Sequence, residues 1–259
     1  MIIGRYKILK NYITACDKKH ILNELKKNIS AGKKLSITPL ASYTLALANT
    51  DNKLAEVLGR YSYLLPDSRW IKLSLKFLYG VNLKETITGT DLMLSVCGLA
   101  RIKHYNVSLY GTTGGTLKIL QVRLEKLFPG IKIVYREASK FRKLTFTEKE
   151  KLVGNIHLFK TDILFVALGS PLQEIFSADL LFENPNLNKP VVIIPVGAAF
   201  DFISGGKPQA PRFLQNAGFE WLFRLLCEPK RLWKRYLIYG PYYLVLIIRQ
   251  KFFMKVICL

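Results

Sequence analysis

An aspartate stands where a strand is expected to end. Asp67 follows the apolar run 61–65 and the turn-forming Pro66, and ligands of open α/β sheets gather at the carboxyl ends of strands. A carboxylate there can act as a general base toward a hydroxyl, such as that of a sugar, if its surroundings raise its pKa toward neutrality. Thr38 ends the run 35–38 in the same way. Taken singly, each residue is more often a helix cap or turn residue.

A glycine-rich turn follows another predicted strand. Gly111, Gly114 and Gly115 come after strand 106–110 and open a helix at about residue 116. Glycines at such a turn let backbone N–H groups approach an anion, and the helix N-terminus favours phosphate. The dinucleotide fingerprint is incomplete, because the spacing is G-x-x-G-G and Tyr135 stands where an acidic ribose ligand is expected. Such a turn also occurs without any ligand.

Two further loops repeat this arrangement. Residues 169–174 follow the strand that ends at Leu168 and carry Gln173 and Glu174, while residues 197–202 follow the strand that ends at Val196 and carry Asp201. Both loops are small-residue turns that bring polar side chains to the carboxyl edge of the sheet. This pattern favours a cleft for a small molecule over a flat binding surface.

The elements that position these residues alternate between short apolar runs and longer amphipathic stretches. This alternation predicts an α/β fold with a mostly parallel sheet flanked by helices. The predicted strands are 35–38, 61–65, 107–110, 131–135, 163–168 and 191–196, and the predicted helices are 14–31, 40–59, 88–103, 114–128, 148–160 and 171–182.

Composition sets outer limits on the function. The 259 residues carry 39 Lys+Arg against 18 Asp+Glu, a net charge of +21, and 50% are hydrophobic. The chain therefore folds and favours polyanionic partners, which could be nucleic acid, anionic lipid or a phosphorylated small molecule. The four scattered cysteines suggest neither a zinc site nor a disulfide framework, and no signal peptide is expected.

The amino-acid composition of the chain changes near residue 208. We predict a core domain over 1–207 and a basic appendage over 208–259. Residues 224–259 hold eight basic residues and one acidic residue, and their longest charge-free run, 236–248, is 13 residues long. Because a membrane-spanning helix needs about 20 apolar residues, we expect an amphipathic helical segment lying on an anionic membrane. The alternative is a C-terminal helix packed on its own domain or on a neighbouring subunit.

An ordered series of motifs resembles the WecG/TagA/CpsF glycosyltransferase family, from about Ser36 to Tyr236. The motifs are Thr38-Pro39, Pro66-Asp67, Thr88-Gly89-Thr90-Asp91-Leu92, Gly111-x-x-Gly114, Gly169-x-Pro171-x-Gln173-Glu174, Gly197-x-x-Phe200-Asp201-Phe202-x-x-Gly205, Ala210-Pro211, and the run from Glu220-Trp221 through Arg224, Glu228-Pro229 and Arg231 to Arg235-Tyr236. Each motif is modest alone, but their shared order and spacing are highly specific.

The resemblance implies a Rossmann-like, inverting and metal-independent transferase without a cofactor. It would move N-acetylmannosamine, its uronic acid or glucose from a UDP-sugar to a polyprenyl-diphosphate-linked saccharide, as a peripheral protein at the cytoplasmic face of the membrane. A homo-oligomer is also possible.

The resemblance also implies roles for individual residues. Asp67 matches the proposed base, with Thr38 beside it. Arg224, Arg231 and Arg235 match arginines that close over the site at the membrane, where guanidinium groups can stabilise the departing diphosphate. The residues expected to bind the nucleotide-sugar are Gly111, Gly114, Gly115, Gln173, Glu174, Asp201 and Asp91.

Four positions depart from the family pattern. Ser68 replaces a glycine after the aspartate, Leu40 an asparagine, Leu172 a lysine and Gln209 an arginine. These changes put the sugar specificity in question and allow an altered or lost activity.

Two other classes of function stay open at this point. A basic nucleic-acid-binding protein would explain the charge, but the basic residues are spread along the chain without a recognition module. A nicotinamide-dependent oxidoreductase would use a similar sheet, but the missing fingerprint argues against it. We therefore expect no nucleic-acid partner.

Overall fold

A computed structural model describes residues 3–187, 191–211, 214 and 218–257, without the side chains of 255–257. Its strands are β1 Gly4–Ile8, β2 Asn11–Ala15, β3 Leu35–Leu40, β4 Tyr63–Pro66, β5 Asn106–Gly111, β6 Lys132–Glu137, β7 Ile163–Ala167 and β8 Val192–Pro195. Its helices are α1 Lys18–Ser30, α2 Ser42–Thr50, α3 Asn52–Gly59, α4 Arg69–Tyr79, α5 Gly89–Lys103, α6 Gly114–Leu127, α7 Phe146–Leu158, α8 Leu172–Ala178, α9 Ala199–Ser204, α10 Glu220–Cys227, α11 Pro229–Trp233 and α12 Tyr239–Ile257. π-Helical turns extend α8 over Asp179–Glu183 and join α11 to α12 over Lys234–Ile238.

Six of these strands form one parallel sheet in the order β4-β3-β8-β7-β5-β6, while β1 and β2 pair as an antiparallel hairpin. Since all six strands run the same way, their carboxyl ends lie along one edge of the sheet. β3 and β8, the first and last strands of the sheet in the chain, are neighbours. The loops after β3, β4, β5, β7 and β8 therefore meet at this edge, where α/β proteins bind ligands.

Both faces of the sheet are covered by helices. One face packs against α1, α5, α6 and α9. The other face packs against two groups of helices: the first group is α2, α3, α4 and α12, and the second is α7 and α8. Such burial explains the nearly continuous Val, Ile and Leu of β7 and β8. The predicted Rossmann-like α/β fold with a C-terminal helix is confirmed.

Several predicted helices need correction. The prediction of helix 14–31 is wrong at its start, because β2 continues to Ala15 and Asp17 caps α1 through a bond from His20 N–H to Oδ1 (2.8 Å). The predicted helix 40–59 is two helices that meet at Asp51, whose carboxylate accepts from Leu54 N–H (3.1 Å). Helix α4 and the hairpin β1–β2 were not predicted.

The C-terminal helix α12 packs on the core through one face. Tyr243 and Ile247 are buried against α2 and α4, and the hydroxyl of Tyr243 lies 2.9 Å from Ser74 Oγ. Gln250 bonds the β1–β2 turn, accepting from Leu9 N–H (2.8 Å) and donating to Lys7 O (2.8 Å). In the described part of the chain, no helix has both the length and the apolar character needed to cross a bilayer.

This packing predicts that Tyr243→Ala destabilises the whole fold. Deleting a buried aromatic ring costs about 3–5 kcal/mol, which corresponds to a fall in Tm of roughly 10 °C for a chain of this size. Phe253→Ala, an exposed position on the same helix, is the matched control and should change the stability by less than about 0.5 kcal/mol. Thermal unfolding of both variants measures the difference, and equal Tm values would show that α12 contributes no stability.

Candidate active site

Asp67 lies at the carboxyl end of β4, held by backbone groups of two neighbouring segments. Its N–H donates to Leu40 O (3.2 Å), and its Oδ1 accepts from Gly89 N–H (3.3 Å) at the start of α5. The next residue, Ser68, caps α4 by accepting from Ile71 N–H (3.4 Å). Both helices that flank the carboxylate are thus fixed at their first turns, which orients the Asp67 side chain.

Two acids and two arginines surround Asp67, and we call Asp67, Asp91, Glu220, Arg224 and Arg235 the carboxylate cluster. Burial raises the pKa of Asp67, while the charges of Arg235 and Arg224 act in the opposite direction and Asp91 adds to the rise. Burial, followed by the charge of Asp67, also raises the pKa of Glu220. The cluster therefore holds a carboxyl group whose proton affinity is above that of an ordinary aspartate, as a general base requires.

Aromatic rings hold the arginines of the cluster. The guanidinium carbon of Arg235 lies 5.2 Å from the Tyr43 ring centroid and 5.8 Å from that of Tyr236, and Arg224 lies 5.5 Å from the Phe202 ring. Burial lowers the pKa of Arg235. Stacking leaves the edges of a guanidinium group free to donate hydrogen bonds, so both arginines can contact an anionic substrate group.

A cavity of about 910 Å³ opens at the carboxyl ends of β5, β7 and β8. Its basic lining residues are Arg142, Lys143, Lys149, Lys207 and Arg231, its acids are Asp179 and Asp201, and its apolar walls include Tyr110, Phe141, Leu172, Ile175 and Phe176. We call this space the basic cavity. Its size suits a nucleotide-sized ligand, and its excess of cations suits a phosphorylated one.

Two contacts join the basic cavity to the carboxylate cluster. Gly89, which donates to Asp67, packs so closely on Val196, the residue after β8, that a Cβ would lie 2.4 Å from Val196 O. Gly197, which follows Val196, lines the cavity. Phe202, which contacts Arg224, follows the cavity residue Asp201. The basic cavity and the carboxylate cluster are therefore neighbours along this edge of the sheet.

The predicted pair Gln173 and Glu174 is almost wholly buried. Gln173 accepts from Gly197 N–H (3.0 Å) and donates to Glu174 Oε1 (3.0 Å). Burial raises the pKa of Glu174, against the opposing effects of the Gln173 hydrogen bond and the charge of Arg235. In this arrangement the pair holds the loop after β8, and a direct contact with a nucleotide-sugar stays a prediction.

The predicted glycines have different surroundings. Gly111 has φ +130°, and a Cβ on it would lie 2.2 Å from Ala167 O of β7, so the sheet itself requires this glycine. Gly114 and Gly115 are exposed in the first turn of α6, which Thr113 caps by accepting from Thr116 N–H (3.2 Å). Only the latter two lie where a ligand could reach their backbone.

The other predicted site residues, Thr38, Asp91 and Asp201, lie in three different environments. Thr38 is fully buried, and its hydroxyl donates to Pro39 O (3.4 Å), so its catalytic role stays a prediction. Asp91 is exposed in the first turn of α5, where its carboxylate accepts from the Thr88 hydroxyl (2.8 Å). Asp201 pairs with Lys207 (2.9 Å) at the basic cavity.

The three predicted arginines divide between the two parts of the site. Arg224 and Arg235 belong to the carboxylate cluster, whereas Arg231 lines the basic cavity and pairs with Glu228. Glu228 also contacts Lys207 (3.1 Å). This network holds α11 against the cavity.

Sequence reasoning missed several residues of the candidate site. Glu220 belongs to a motif of the resemblance but was given no role, although it lies one helical turn before Arg224. Three basic residues of the cavity follow β6: Arg142, Lys143 and Lys149. The basic stretch 140–143 was the sequence feature that could have indicated them. Of the departures from the family pattern, Leu172 lines the basic cavity, Ser68 caps α4, Leu40 is buried in β3 and Gln209 is exposed.

The described residues contain no group of three or more His, Cys, Asp or Glu side chains placed to hold a metal ion.

A Rossmann-like sheet with a carboxylate beside a basic cavity can bind an anionic small molecule and hold a general base near it. A model of the glycosyl transferase WecG/TagA/CpsF family matches residues 6–256. The chain belongs to this family and is a glycosyltransferase.

Two curated relatives carry the name N-acetylglucosaminyldiphosphoundecaprenol N-acetyl-beta-D-mannosaminyltransferase. The protein of Bacillus subtilis (strain 168) is 29% identical over 201 residues, which cover 78% of this chain and 74% of the relative. The protein of Staphylococcus aureus (strain NCTC 8325 / PS 47) is 26% identical over 185 residues, which cover 71% and 69%. These similarities support a glycosyltransferase over the nucleic-acid-binding and oxidoreductase alternatives.

Proposed function

We propose that this enzyme transfers N-acetylmannosamine from a UDP-sugar to a polyprenyl-diphosphate-linked N-acetylglucosamine, with inversion and without a metal. The observation that carries the proposal is the position of Asp67, an embedded carboxylate with a raised pKa next to a cavity rich in cations. The names of the relatives supply the sugar and the acceptor. The uronic acid and glucose are the competing donor sugars.

In the proposed reaction Asp67 removes the proton from the attacking hydroxyl of the acceptor. The hydroxyl oxygen forms a bond to the anomeric carbon of the donor, and the bond from that carbon to the diphosphate oxygen breaks. The electron pair of that bond leaves with UDP, while the proton stays on the Asp67 carboxyl group. Because attack and departure occur on opposite sides of the anomeric carbon, the configuration inverts.

The departing UDP carries the negative charge that develops in this step. Arg224 and Arg235 beside Asp67, together with Lys207 and Arg231 of the basic cavity, supply fixed positive charge for it. Guanidinium groups bind phosphate oxygens in a bidentate manner. This charge supports a reaction that needs neither a metal ion nor a cofactor.

The acceptor determines where the enzyme works. A polyprenyl chain stays in the bilayer, so the saccharide is presented at the membrane surface, and we place the enzyme as a peripheral protein on the cytoplasmic side. The exposed apolar and basic residues of α10 to α12 support a membrane contact.

A transfer assay with the purified full-length chain tests the proposed function. We expect UDP release and a disaccharide product from UDP-N-acetylmannosamine and polyprenyl-diphosphate-linked N-acetylglucosamine, with EDTA present. The matched controls omit the acceptor or substitute UDP-glucose or the UDP-linked uronic acid. Faster turnover of a control donor would change the assigned sugar. A folded enzyme that transfers only after a divalent metal is added would contradict the metal-independent reaction.

A further inference from the structure

Helix α4 was absent from the sequence prediction, and the function proposed above assigns it no role beyond following Asp67. A groove of about 450 Å³ runs beside it, lined by Arg69, Lys72, Leu73, Lys76, Asn82, Lys84, Glu85 and Thr86. Among these lining residues there are four cations and one carboxylate. The groove therefore has the charge of a site for anionic groups.

A row of exposed apolar side chains lies next to these cations on α4. Trp70, Leu73 and Phe77 are 40%, 44% and 51% exposed, and their spacing of three and four residues places them on one stripe of the helix. Ile71, Leu75 and Leu78 on the opposite side are buried in the core. The exposed part of α4 is thus an apolar stripe, with Trp at one end, bordered by a basic stripe.

Helix α12 extends this surface. Lys251 Nζ donates to Leu78 O (3.0 Å) and lies 5.6 Å from the Phe77 ring centroid, which joins the two helices. Ile248 and Phe252, on either side of Lys251 in α12, are also exposed. The apolar stripe of α4 therefore continues onto the C-terminal helix.

The position of the groove relates it to the active site. Arg69 begins α4 two residues after Asp67 and packs against Gly218, where a Cβ would lie 2.7 Å from Arg69 Nη1. Gly218 lies just before α10, which carries Glu220 and Arg224. A surface that contacts α4 would therefore lie close to the carboxylate cluster.

We propose that α4 and its groove form a binding site for anionic lipid headgroups, with Trp70, Leu73 and Phe77 inserted among the lipids. Lysine side chains near a bilayer gain from the negative surface potential, and Trp favours the boundary between headgroups and acyl chains. Bound in this way, the enzyme would present the carboxylate cluster to an acceptor anchored in the same bilayer. The inference rests on the membrane location given under the proposed function.

Sedimentation of the full-length protein with vesicles tests this site without any substrate. We expect binding to vesicles of phosphatidylcholine with phosphatidylglycerol and little binding to phosphatidylcholine alone. Lys72→Glu/Lys76→Glu should weaken binding to the anionic vesicles on the order of tenfold or more. Leu73→Ser/Phe77→Ser should weaken it without changing the net charge.

Matched controls lie on α6, on the opposite face of the sheet. Lys118→Glu/Lys126→Glu gives the same charge change at exposed positions, and Ile119→Ser/Val122→Ser removes side chains that are 51% and 64% exposed. Both controls should keep tight vesicle binding. The proposed lipid site would be wrong if the α4 variants bound anionic vesicles with the affinity of the wild type, or if the α6 controls lost as much vesicle binding as the α4 variants.

An activity measurement separates this inference from the proposed function. With a short-chain acceptor soluble in water, the folded α4 variants should keep the kcat of the wild type, and with the acceptor in anionic vesicles their apparent KM should rise. An enzyme that binds vesicles through α4 but transfers no sugar would disprove the function alone. An enzyme that transfers sugar normally while the α4 charges have no effect would disprove the lipid site alone.

Discussion

Asp67→Asn is expected to reduce kcat by about a hundred- to ten-thousand-fold, the range typical for loss of a general base. The amide has the size of the carboxylate and keeps an oxygen that can accept from Gly89 N–H, so the loop after β4 should not move. Since burial raises the pKa of Asp67, the ionised carboxylate is less stable in the folded state than in the unfolded chain and lowers the free energy of unfolding. The neutral variant should therefore have an unchanged or higher Tm at neutral pH.

The pH dependence of kcat/KM tests the role of this carboxyl group. Transfer needs ionised Asp67, so activity should fall as the pH drops through its raised pKa, at a pH above the value of about 4 for an ordinary aspartate. Asp91→Asn removes a negative neighbour that adds to this rise. The acid limb of the Asp91→Asn profile should therefore move to lower pH, and a lowered plateau would show in addition that Asp91 binds the nucleotide-sugar. A fully active Asp67→Asn variant would remove Asp67 from the base role.

Local capping signals explain why some elements could be predicted closely. Thr88 and Thr113 cap α5 and α6 through their hydroxyls, and both predicted starts lie within one residue of the observed ones. Asp51 carried the same kind of signal inside the predicted helix 40–59, where it divides α2 from α3. Helix α4 had its own signals, Ser68 at the start and Gly80 in a left-handed conformation at the end. Both signals are present in the local sequence, before and after the helix.

The site was predictable only as far as strand ends determine it. Gly111 ends a strand, Asp67, Gln173 and Asp201 lie in the segments that follow strands, and parallel strands bring all four to one edge. The arginines were harder, because Arg231 and Arg235 have the spacing of neighbours on a regular α-helix. The π-helical turn Lys234–Ile238 widens the backbone there. Arg231 consequently lines the basic cavity while Arg235 reaches the carboxylate cluster, a division that helical periodicity does not predict.

Gly111→Ala is expected to destabilise the protein by about 3 kcal/mol or more, since it combines a crowded contact with an unfavourable backbone angle. The new Cβ would meet Ala167 O at 2.2 Å and Ala167 C at 2.7 Å, in the pairing of β5 with β7. The φ of +130° is also one that side-chain-bearing residues rarely adopt. Thermal unfolding should show a large fall in Tm, with or without a donor present.

Gly114→Ala is the matched control, because nothing lies within 4 Å of its added Cβ and the residue begins α6. Alanine favours helix and restricts the unfolded chain, so the Tm should stay constant or rise slightly. If the first turn of α6 binds the donor phosphates, Gly114→Ala should raise the KM for the UDP-sugar although its Tm does not fall. The two glycines of one motif would then have separate roles, Gly111 in the sheet and Gly114 in binding. A Gly111→Ala variant with the Tm of the wild type would refute that division.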